Sequence, residues 1–239
     1  MLTGQVNVPF TKTQAHRQQV ISLIHPHDTE MDLSIAFALY FAARGQGFCA
    51  MDSDPGSPMS YTSPARVLLS GLGADELFGG YSRHPSAFER RGYAGLVDEL
   101  LLDVGRLGKR NLGRDDRAMA HWGKEVRFPF LDERLVRWAI ETPAWEKCDF
   151  ENGEEISGVE AGKRILRLLA MDLGMENVAK EKKRAVSAAI PEMQLKLTST
   201  DPIRFQNRQN GKRASQRDHA HLISPHGKTP AVMIHYRYF

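Results

Sequence analysis

The sequence predicts an α/β fold that is rich in helices and contains an incomplete parallel sheet. Residues 66–70 form a short apolar run closed by Gly71, and this length with these flanks favours a buried strand of a parallel sheet over a helix. The segments that follow show a helical period instead. Because this is the one clear strand among many helices, the sheet is expected to lack some of its strands.

The elements before this strand are predicted from periodicity and composition. Residues 12–24 are predicted to form a short polar helix, and Asp28 is a candidate N-cap for the next helix. Residues 30–43 are apolar on nearly every face, so the helix predicted here should be buried between other elements. Residues 45–65 are rich in Gly, Ser and Pro, which predicts a loop, with or without a short strand at 48–51.

Four segments after the strand are predicted to be helices. They are residues 94–107, 109–122, 131–140 and 163–174. Beyond about residue 198 the chain has no apolar period and consists mainly of polar residues, which predicts disorder. The expected organisation is one domain over residues 1–197, followed by a basic, mostly disordered tail over residues 198–239.

The composition is that of a globular protein and excludes several other classes. Of the 239 residues, 41% are hydrophobic and 26% are charged, which excludes a coiled coil or disorder of the whole chain. Two cysteines, Cys49 and Cys148, cannot form a disulfide framework or a four-thiolate zinc site. The longest apolar run, residues 35–43, is far shorter than the roughly 20 residues of a membrane helix. The first residues also lack the pattern of a signal peptide, so a cytoplasmic protein without a membrane partner is expected.

The net charge of +3 arises from the tail. From Pro202 onward, seven basic residues face one acidic residue, whereas the rest of the chain has a small acidic excess. The tail also lacks an RNA-binding motif, and its basic residues from 208 to 228 have no Phe, Trp or Tyr among them. A nucleic acid is therefore not the expected partner.

The segment Ser70–Tyr81 is the part of the sequence that points to chemistry. It follows the strand, contains Gly71 and Gly73, and opens a predicted helix with Asp75 and Glu76. Glycines let the backbone approach a ligand closely, and free N–H groups at a helix start attract anions. Two acidic residues would repel a bare phosphate, but a Mg²⁺ ion held by one of them would bind it. The alternative is a structural strand–turn–helix joint without a ligand.

Four blocks, in a fixed order, resemble the synthetase domain of the asparagine synthetase family. They are residues 70–76, which resemble its motif Ser-Gly-x-Gly-x-Asp-Glu, and residues 111–120, 123–132 and 163–167. Within the family, Gly73–His84 and Asn111–Arg117 are most similar to the branch of asparagine synthetase domain-containing proteins. The resemblance covers about residues 6–195. It implies that the fold is the second half of an adenine-nucleotide alpha-hydrolase-like (PP-loop ATP pyrophosphatase) domain.

The resemblance implies an ATP-dependent ligase that forms an amide. Family members adenylate a side-chain carboxylate with Mg-ATP, release pyrophosphate and let ammonia attack, as in asparagine biosynthesis. ATP, Mg²⁺ and a carboxylate substrate are therefore the implied cofactors and partners. The implied nucleotide-binding residues are Ser70, Gly71, Gly73, Asp75, Glu76 and Lys163. Of these, Asp75 would be the Mg²⁺ ligand and Lys163 would neutralise the leaving pyrophosphate, which makes both of them implied catalytic residues.

Two further blocks receive other roles. Asp132 is predicted to be the N-cap of a helix over residues 133–140, and Arg127 is expected to have a structural role. The run Lys180–Arg184 resembles a family segment near the site entrance, and an exposed basic patch is the equal alternative.

The sequence also departs from the family in ways that leave its activity open. The chain contains no Ser-Gly-Gly-x-Asp-Ser loop, which supplies most phosphate contacts in the family, and no match to a glutaminase domain. Leu72 stands where asparagine synthetases carry a Glu for proton transfer. Two hypotheses follow: part of an asparagine synthetase-like ligase that is inactive alone, or a non-catalytic interaction protein that retains half of the fold.

An incomplete sheet has an exposed edge, here around residues 67–69. Such an edge can pair with another chain because its N–H and C=O groups are free. A homo-oligomer or a covering partner at this edge is therefore expected.

Overall fold

The structure is a computed structural model, and it describes residues 2–51, 54–152, 158–182 and 231–238. These residues fall into two compact units. The N-terminal unit comprises residues 2–62 and 231–238, and the central unit comprises residues 63–182. The domain boundary expected near residue 197 lies outside the described residues, and the contacts instead divide the chain after Thr62.

The described residues contain six strands and ten α-helices. The strands are β1 (Leu2–Pro9), β2 (Gln46–Met51), β3 (Asp54–Thr62), β4 (Val67–Leu69), β5 (Glu125–Arg127) and β6 (Ala231–Tyr238). The helices are α1 (Phe10–Ala15), α2 (Arg17–Ile24), α3 (Glu30–Ala43), α4 (Ala74–Phe78), α5 (Arg83–Leu107), α6 (Gly113–Ala120), α7 (Glu133–Glu141), α8 (Ala144–Lys147), α9 (Arg164–Asp172) and α10 (Glu176–Ala179). A π-helical segment (Gly108–Leu112) and a 3-10 turn (Pro129–Leu131) are also present. None of the helices described is long and apolar enough to cross a membrane.

The helices of the N-terminal unit follow the sequence prediction closely. α1 and α2 occupy the predicted helix over residues 12–24 and are separated at His16. α3 has the predicted bounds, and most of its side chains are buried, as expected. Its N-cap is Thr29, whose hydroxyl oxygen accepts a hydrogen bond from the Asp32 N–H at 3.0 Å. The prediction of Asp28 as the cap is therefore wrong by one residue, because Thr29 directly precedes the first helical residue.

The N-terminal unit contains a four-stranded antiparallel sheet in the order β3-β2-β1-β6. β2 and β3 form a hairpin, with Gln46 opposite Thr62. The prediction of a loop over residues 45–65 is therefore wrong, whereas the short strand considered at 48–51 lies within β2. Pro55 and Pro58 obscured β3, because proline cannot donate a ladder hydrogen bond. β3 lies at the edge of the sheet, and an edge strand tolerates proline.

β6 comes from the segment that the sequence predicted to be disordered. It pairs with β1 in antiparallel register, with Tyr238 opposite Leu2 and Ala231 opposite Pro9. The remainder of that segment, residues 198–230, lies outside the described residues.

The central unit contains a small parallel sheet. β4 and β5 pair in parallel, with Val67 opposite Glu125 and Leu69 opposite Arg127. The predicted strand is confirmed, but its predicted burial is wrong, since Val67 is 45% and Leu69 is 75% exposed. In the described part of the central unit this sheet has two strands, and Val67 and Leu69, which share one face, are not covered by other elements. The oligomer or covering partner expected at this edge stays a prediction.

The helices of the central unit overlap the predicted segments, but several begin or end at other residues. α5 begins well before the predicted residue 94 and is interrupted at Gly92, whose φ is +60°. α7 follows Asp132, whose carboxylate accepts the N–H groups of Arg134 and Leu135 at 3.0 and 3.2 Å. The prediction of Asp132 as an N-cap is therefore confirmed.

A hydrophobic cluster fixes α4 within the central unit. Leu77 and Phe78 are 2% and 1% exposed and pack with Ala139 of α7 and with side chains of α9. The Phe130 ring meets the Phe78 ring edge to face, with 6.1 Å between their centres. Burial of side chains of this size contributes about 1.5–3 kcal/mol each. This packing leaves the other side of the short helix, which carries Asp75, facing a cleft.

Candidate functional site

A tight turn joins β4 to α4 and holds the predicted motif. Ser70 continues the strand pairing, because its N–H donates to the carbonyl oxygen of Arg127 at 2.8 Å. Gly73 is the N-cap of α4 and has a φ of +102°, which a residue with a side chain rarely adopts. An ideal Cβ at Gly73 would also lie 2.6 Å from Leu131 Cδ2. Both the conformation and the available space therefore require glycine here.

Several N–H groups of this turn have partners inside the turn itself. The Leu72 N–H donates to the Ser70 hydroxyl oxygen, and the Gly73 N–H donates to Glu76 Oε2, each at 3.2 Å. The Ala74 N–H donates to the carbonyl oxygen of Gly71, also at 3.2 Å. The glycine pattern predicted free N–H groups for a phosphate, and these three are already hydrogen-bonded. Gly73 thus shapes the turn, and these three N–H groups stabilise it.

Asp75 and Lys163 meet in the central unit although they lie far apart in the sequence. Lys163 Nζ lies 2.8 Å from Asp75 Oδ1, and the two side chains are about one-quarter exposed. Oδ1 is shielded from solvent and, apart from this ion pair, has no hydrogen-bond donor among the described residues. Oδ1 therefore has a charge partner but keeps unused capacity to accept.

The backbone of Lys163 is held in an uncommon conformation. Its φ is +56°, the left-handed region, and it is the N-cap of α9. Such a conformation costs about 1–3 kcal/mol in a residue other than glycine. It persists because the Lys163 N–H donates to the carbonyl oxygen of Phe78, at the end of α4, at 2.8 Å. Gly162 lies close to Gly79, where an ideal Cβ would be 2.9 Å from the Gly79 carbonyl oxygen. The two segments that carry Asp75 and Lys163 are thus joined through backbone contacts.

The ion pair faces a cleft of about 380 Å³. Its polar lining consists of Asp75, Lys163, Arg167, Glu181 and Lys182, and its apolar lining comes from Phe130, α9 and α10. Lys182 belongs to the run Lys180–Arg184, so the described part of that run reaches this cleft. Residues 183 and 184 lie outside the described residues.

Arg167 holds two walls of this cleft together. Its guanidinium is 7% exposed and donates to the carbonyl oxygens of Ala179 and Glu181 at 2.6 and 2.7 Å. It also donates to the carbonyl oxygen of Gly162 at 3.2 Å and forms an ion pair with Glu160. One side chain therefore connects the loop before Lys163 to the end of α10.

The carboxylate of Glu76 is hydrogen-bonded to other parts of the central unit. Its side chain is 2% exposed and accepts from Gly73, Tyr81 and Asn111. The resemblance implied a nucleotide-binding role for Glu76 beside Asp75. The geometry gives its carboxylate three protein donors, and a role toward a ligand stays a prediction.

Asp75 fits a magnesium site of the kind that phosphates complete. The residues described include no group of three or more His, Cys, Asp or Glu side chains that could hold a metal ion. Mg²⁺ usually keeps several waters and binds through one or two carboxylates together with substrate phosphates. The unused capacity of Asp75 Oδ1 agrees with that mode of binding. From this part of the chain, Asp75 would be the metal ligand and Lys163 the cation that meets phosphate charge.

Cys148 is buried and is expected to be chemically inert. It packs with Leu96, Leu100 and Ala144, and burial raises the pKa of its thiol to about 12. Because the thiolate is the reactive form, N-ethylmaleimide should not modify Cys148 in the folded chain at pH 7.5. Peptide mass mapping with and without urea measures this. Modification of Cys148 without urea at the rate of a free thiol would contradict its burial.

The resemblance named Asp75 and Lys163, which the structure brings together, but it gave no role to the residues that hold Glu76. Tyr81 and Asn111 lie in blocks that had only a family resemblance, with no physical role, and both donate to Glu76. A buried acid directly after Asp75 needs donors, and this requirement was the available signal. Arg167 ends the block 163–167 that resembles the family, but the resemblance gave it no role, and its acceptors are mainly backbone carbonyls.

Comparisons with known proteins agree on one family. The sequence model described as asparagine synthase matches residues 57–98 and 88–217. The asparagine synthetase domain-containing protein 1 of Mus musculus is 42% identical over 183 residues, which cover 76% of this chain and 28% of the mouse protein. A protein of the same description from Saccharomyces cerevisiae is 39% identical over 183 residues and is covered to 31%. A putative glutamine-hydrolysing asparagine synthetase of Methanocaldococcus jannaschii is 49% identical over 87 residues, or 36% of this chain and 16% of that protein. The chain thus spans less than a third of the length of these relatives.

Proposed function

The chain belongs to the asparagine synthase family, and we propose that it forms one side of the catalytic site of an ATP-dependent ligase that converts a carboxylate into an amide, as in asparagine biosynthesis. The activity is proposed for the whole protein, since the chain matches less than a third of each relative. This segment would contribute Asp75, Lys163 and the cleft that they face.

One observation carries the proposal. A carboxylate and an ammonium from separate segments meet at 2.8 Å at the side of a cleft, and backbone contacts hold both segments. By family resemblance, Asp75 would bind the metal ion and Lys163 would neutralise the leaving pyrophosphate. A surface ion pair of this exposure contributes at most about 1 kcal/mol to stability. Its backbone support, including the left-handed Lys163, therefore points to a role other than stabilising the fold.

The chemistry expected of these residues is charge stabilisation. When bound, Mg-ATP supplies the adenylating group and a pyrophosphate leaving group. Asp75 would hold the metal through its free acceptor capacity, and Lys163 would place a positive charge where negative charge develops. Leu72 cannot accept a proton, so the turn supplies no general base at that position.

Replacing Asp75 or Lys163 should reduce catalysis strongly and stability weakly. For Asp75→Asn and Lys163→Met, we expect pyrophosphate release in the presence of ATP and aspartate to fall about 100-fold or more. The free energy of unfolding should change by less than about 1 kcal/mol. The measurements are pyrophosphate release by the full-length protein that contains this segment, and urea unfolding of the 239-residue chain.

A matched control comes from another ion pair of the central unit. Arg91 and Asp98 lie 2.9 Å apart and both are well exposed. Asp98→Asn should leave both measurements unchanged within about 0.5 kcal/mol for stability. Full activity in Asp75→Asn would show that the assignment of Asp75 is wrong.

The alternative function is that of a non-catalytic interaction protein. It is favoured by the hydrogen-bonded N–H groups of the turn and by Leu72, which together leave few groups for nucleotide chemistry. Binding of Mg-ATP, measured by titration calorimetry, separates the two functions. Binding that Asp75→Asn weakens supports the ligase, and no binding by the full-length protein supports the alternative.

A further inference from the structure

The carboxylate of Glu76 connects three separate parts of the central unit. It accepts hydrogen bonds from the Gly73 N–H at 3.2 Å, from the Tyr81 hydroxyl at 2.6 Å and from the Asn111 side-chain amide at 2.9 Å. These donors lie in the turn before α4, in the segment after α4 and in the π-helical segment. A buried carboxylate with three donors is well satisfied, so it joins these parts firmly.

Tyr81 is itself held from several directions. The guanidinium of Arg83 lies 4.0 Å from the centre of the Tyr81 ring, and the Tyr81 N–H donates to His84 Nδ1 at 3.1 Å. Burial, followed by the hydrogen bond to Glu76, raises the pKa of Tyr81 above its usual range. The hydroxyl therefore stays protonated and able to donate.

Contacts within α5 anchor this arrangement. Because His84 Nδ1 accepts, Nε2 carries the hydrogen that is donated to Asp103 Oδ2 at 2.9 Å. Asp103 is also paired with Arg83 and Arg106 at 2.6 and 3.2 Å. The first part of α5 thus fixes Tyr81 through both its ring and its backbone.

Asp75 directly contacts Gly80, the residue before Tyr81. Its carbonyl oxygen accepts the Gly80 N–H at 2.9 Å, and an ideal Cβ on Gly80 would lie 1.9 Å from Asp75 Oδ1. Glu76 follows Asp75 directly, and Gly80 precedes Tyr81. Asp75 therefore contacts Gly80 closely, and the chain neighbours of these two residues, Glu76 and Tyr81, are hydrogen-bonded to each other.

We propose that Tyr81 and Asn111 are positioning residues that act through Glu76 to hold the carboxylate of Asp75 against Lys163. This inference rests on the proposed function for the importance of Asp75, and its test needs neither ligand nor turnover. The proposal assigns a physical role to one residue in each of two family-like blocks, Gly73–His84 and Asn111–Arg117, because each block supplies a donor to the carboxylate of Glu76.

The test is nuclear magnetic resonance of the full chain, with two signals that need no ligand. The first is hydrogen exchange of the Gly73 amide, and the second is the ¹³Cγ resonance of Asp75. Tyr81→Phe and Asn111→Leu should each accelerate Gly73 exchange about tenfold or more and shift the Asp75 resonance. In a Glu76→Gln background, Tyr81→Phe should add less than half of the effect that it has alone.

Tyr93→Phe is the matched control, because the Tyr93 hydroxyl lies 3.5 Å from the carboxylate of exposed Glu151. It should leave both signals unchanged. An unchanged Asp75 resonance in Tyr81→Phe, or additive effects of Tyr81→Phe and Glu76→Gln, would overturn the inference. Titration calorimetry of the full-length protein with Mg-ATP is a separate measurement. Binding that Asp75→Asn does not weaken would contradict the proposed metal role of Asp75 and would leave the two ligand-free signals to decide the inference.

Discussion

Gly73→Ala is expected to lower the free energy of unfolding of the central unit by about 3 kcal/mol. At a φ of +102°, an alanine carries backbone strain of about 1–3 kcal/mol. Its Cβ would lie 2.6 Å from Leu131 Cδ2 and 3.0 Å from Phe130 Cβ, and overpacking of this kind costs about 1–3 kcal/mol more. The same change moves the N–H that donates to Glu76, so the turn that carries Asp75 should be disturbed as well.

Tryptophan fluorescence during urea unfolding measures this loss. The three tryptophans, Trp122, Trp138 and Trp145, all lie in the central unit, so the signal reports on that unit alone. Gly71→Ala is the control within the motif, because an ideal Cβ at Gly71 meets nothing within 4 Å and its φ is not positive. It should change stability by no more than about 0.5 kcal/mol. Equal losses in the two variants would mean that the turn does not have the described conformation.

Much of the fold could be predicted where local patterns decide the structure. α3 has the predicted bounds because a 14-residue segment that is apolar on nearly every face is typical of a buried helix. The cap at Asp132 was predictable because the residue type and its place before a helix suffice. The hairpin of β2 and β3 was missed because its strands rely on partners in the sheet, and their Gly, Ser and Pro content signals a loop.

The candidate site shows a different limit. The motif around Gly73 and Asp75 could be found from spacing, but the ion pair of Asp75 with Lys163 depends on how α4 meets α9. The contact between α4 and α9 arises from the packing of Phe78 and its neighbours. The backbone hydrogen bond from Lys163 to Phe78 also contributes to it. A pattern in one segment carries no information about a contact of that kind. The family resemblance placed both residues in one site without indicating that they touch each other.

Arg167→Met is the second change with a large expected effect, a loss of about 3 kcal/mol from the free energy of unfolding. Methionine keeps the length of the aliphatic side chain but removes every donor of the guanidinium. The carbonyl oxygen of Ala179, a residue 1% exposed, would lose its hydrogen bond at 2.6 Å, and Glu181 would lose one at 2.7 Å. An unsatisfied buried acceptor such as the Ala179 carbonyl oxygen costs about 1–3 kcal/mol, and the lost bond to Glu181 and ion pair with Glu160 add to this. Arg167→Lys should recover only part of the loss, because one ammonium cannot reach both walls of the cleft.

The location of the loss distinguishes this explanation from a general weakening of the fold. Hydrogen exchange should accelerate in residues 176–182, which Arg167 holds, and should change little in α7, which it does not contact. Arg127→Met is the control, since Arg127 is 62% exposed and pairs with Glu125 at 2.7 Å on the surface. Its expected cost is below about 1 kcal/mol. If Arg167→Met accelerated exchange in α7 as much as in residues 176–182, Arg167 would support the whole unit, and its specific role in joining the two walls of the cleft would be wrong.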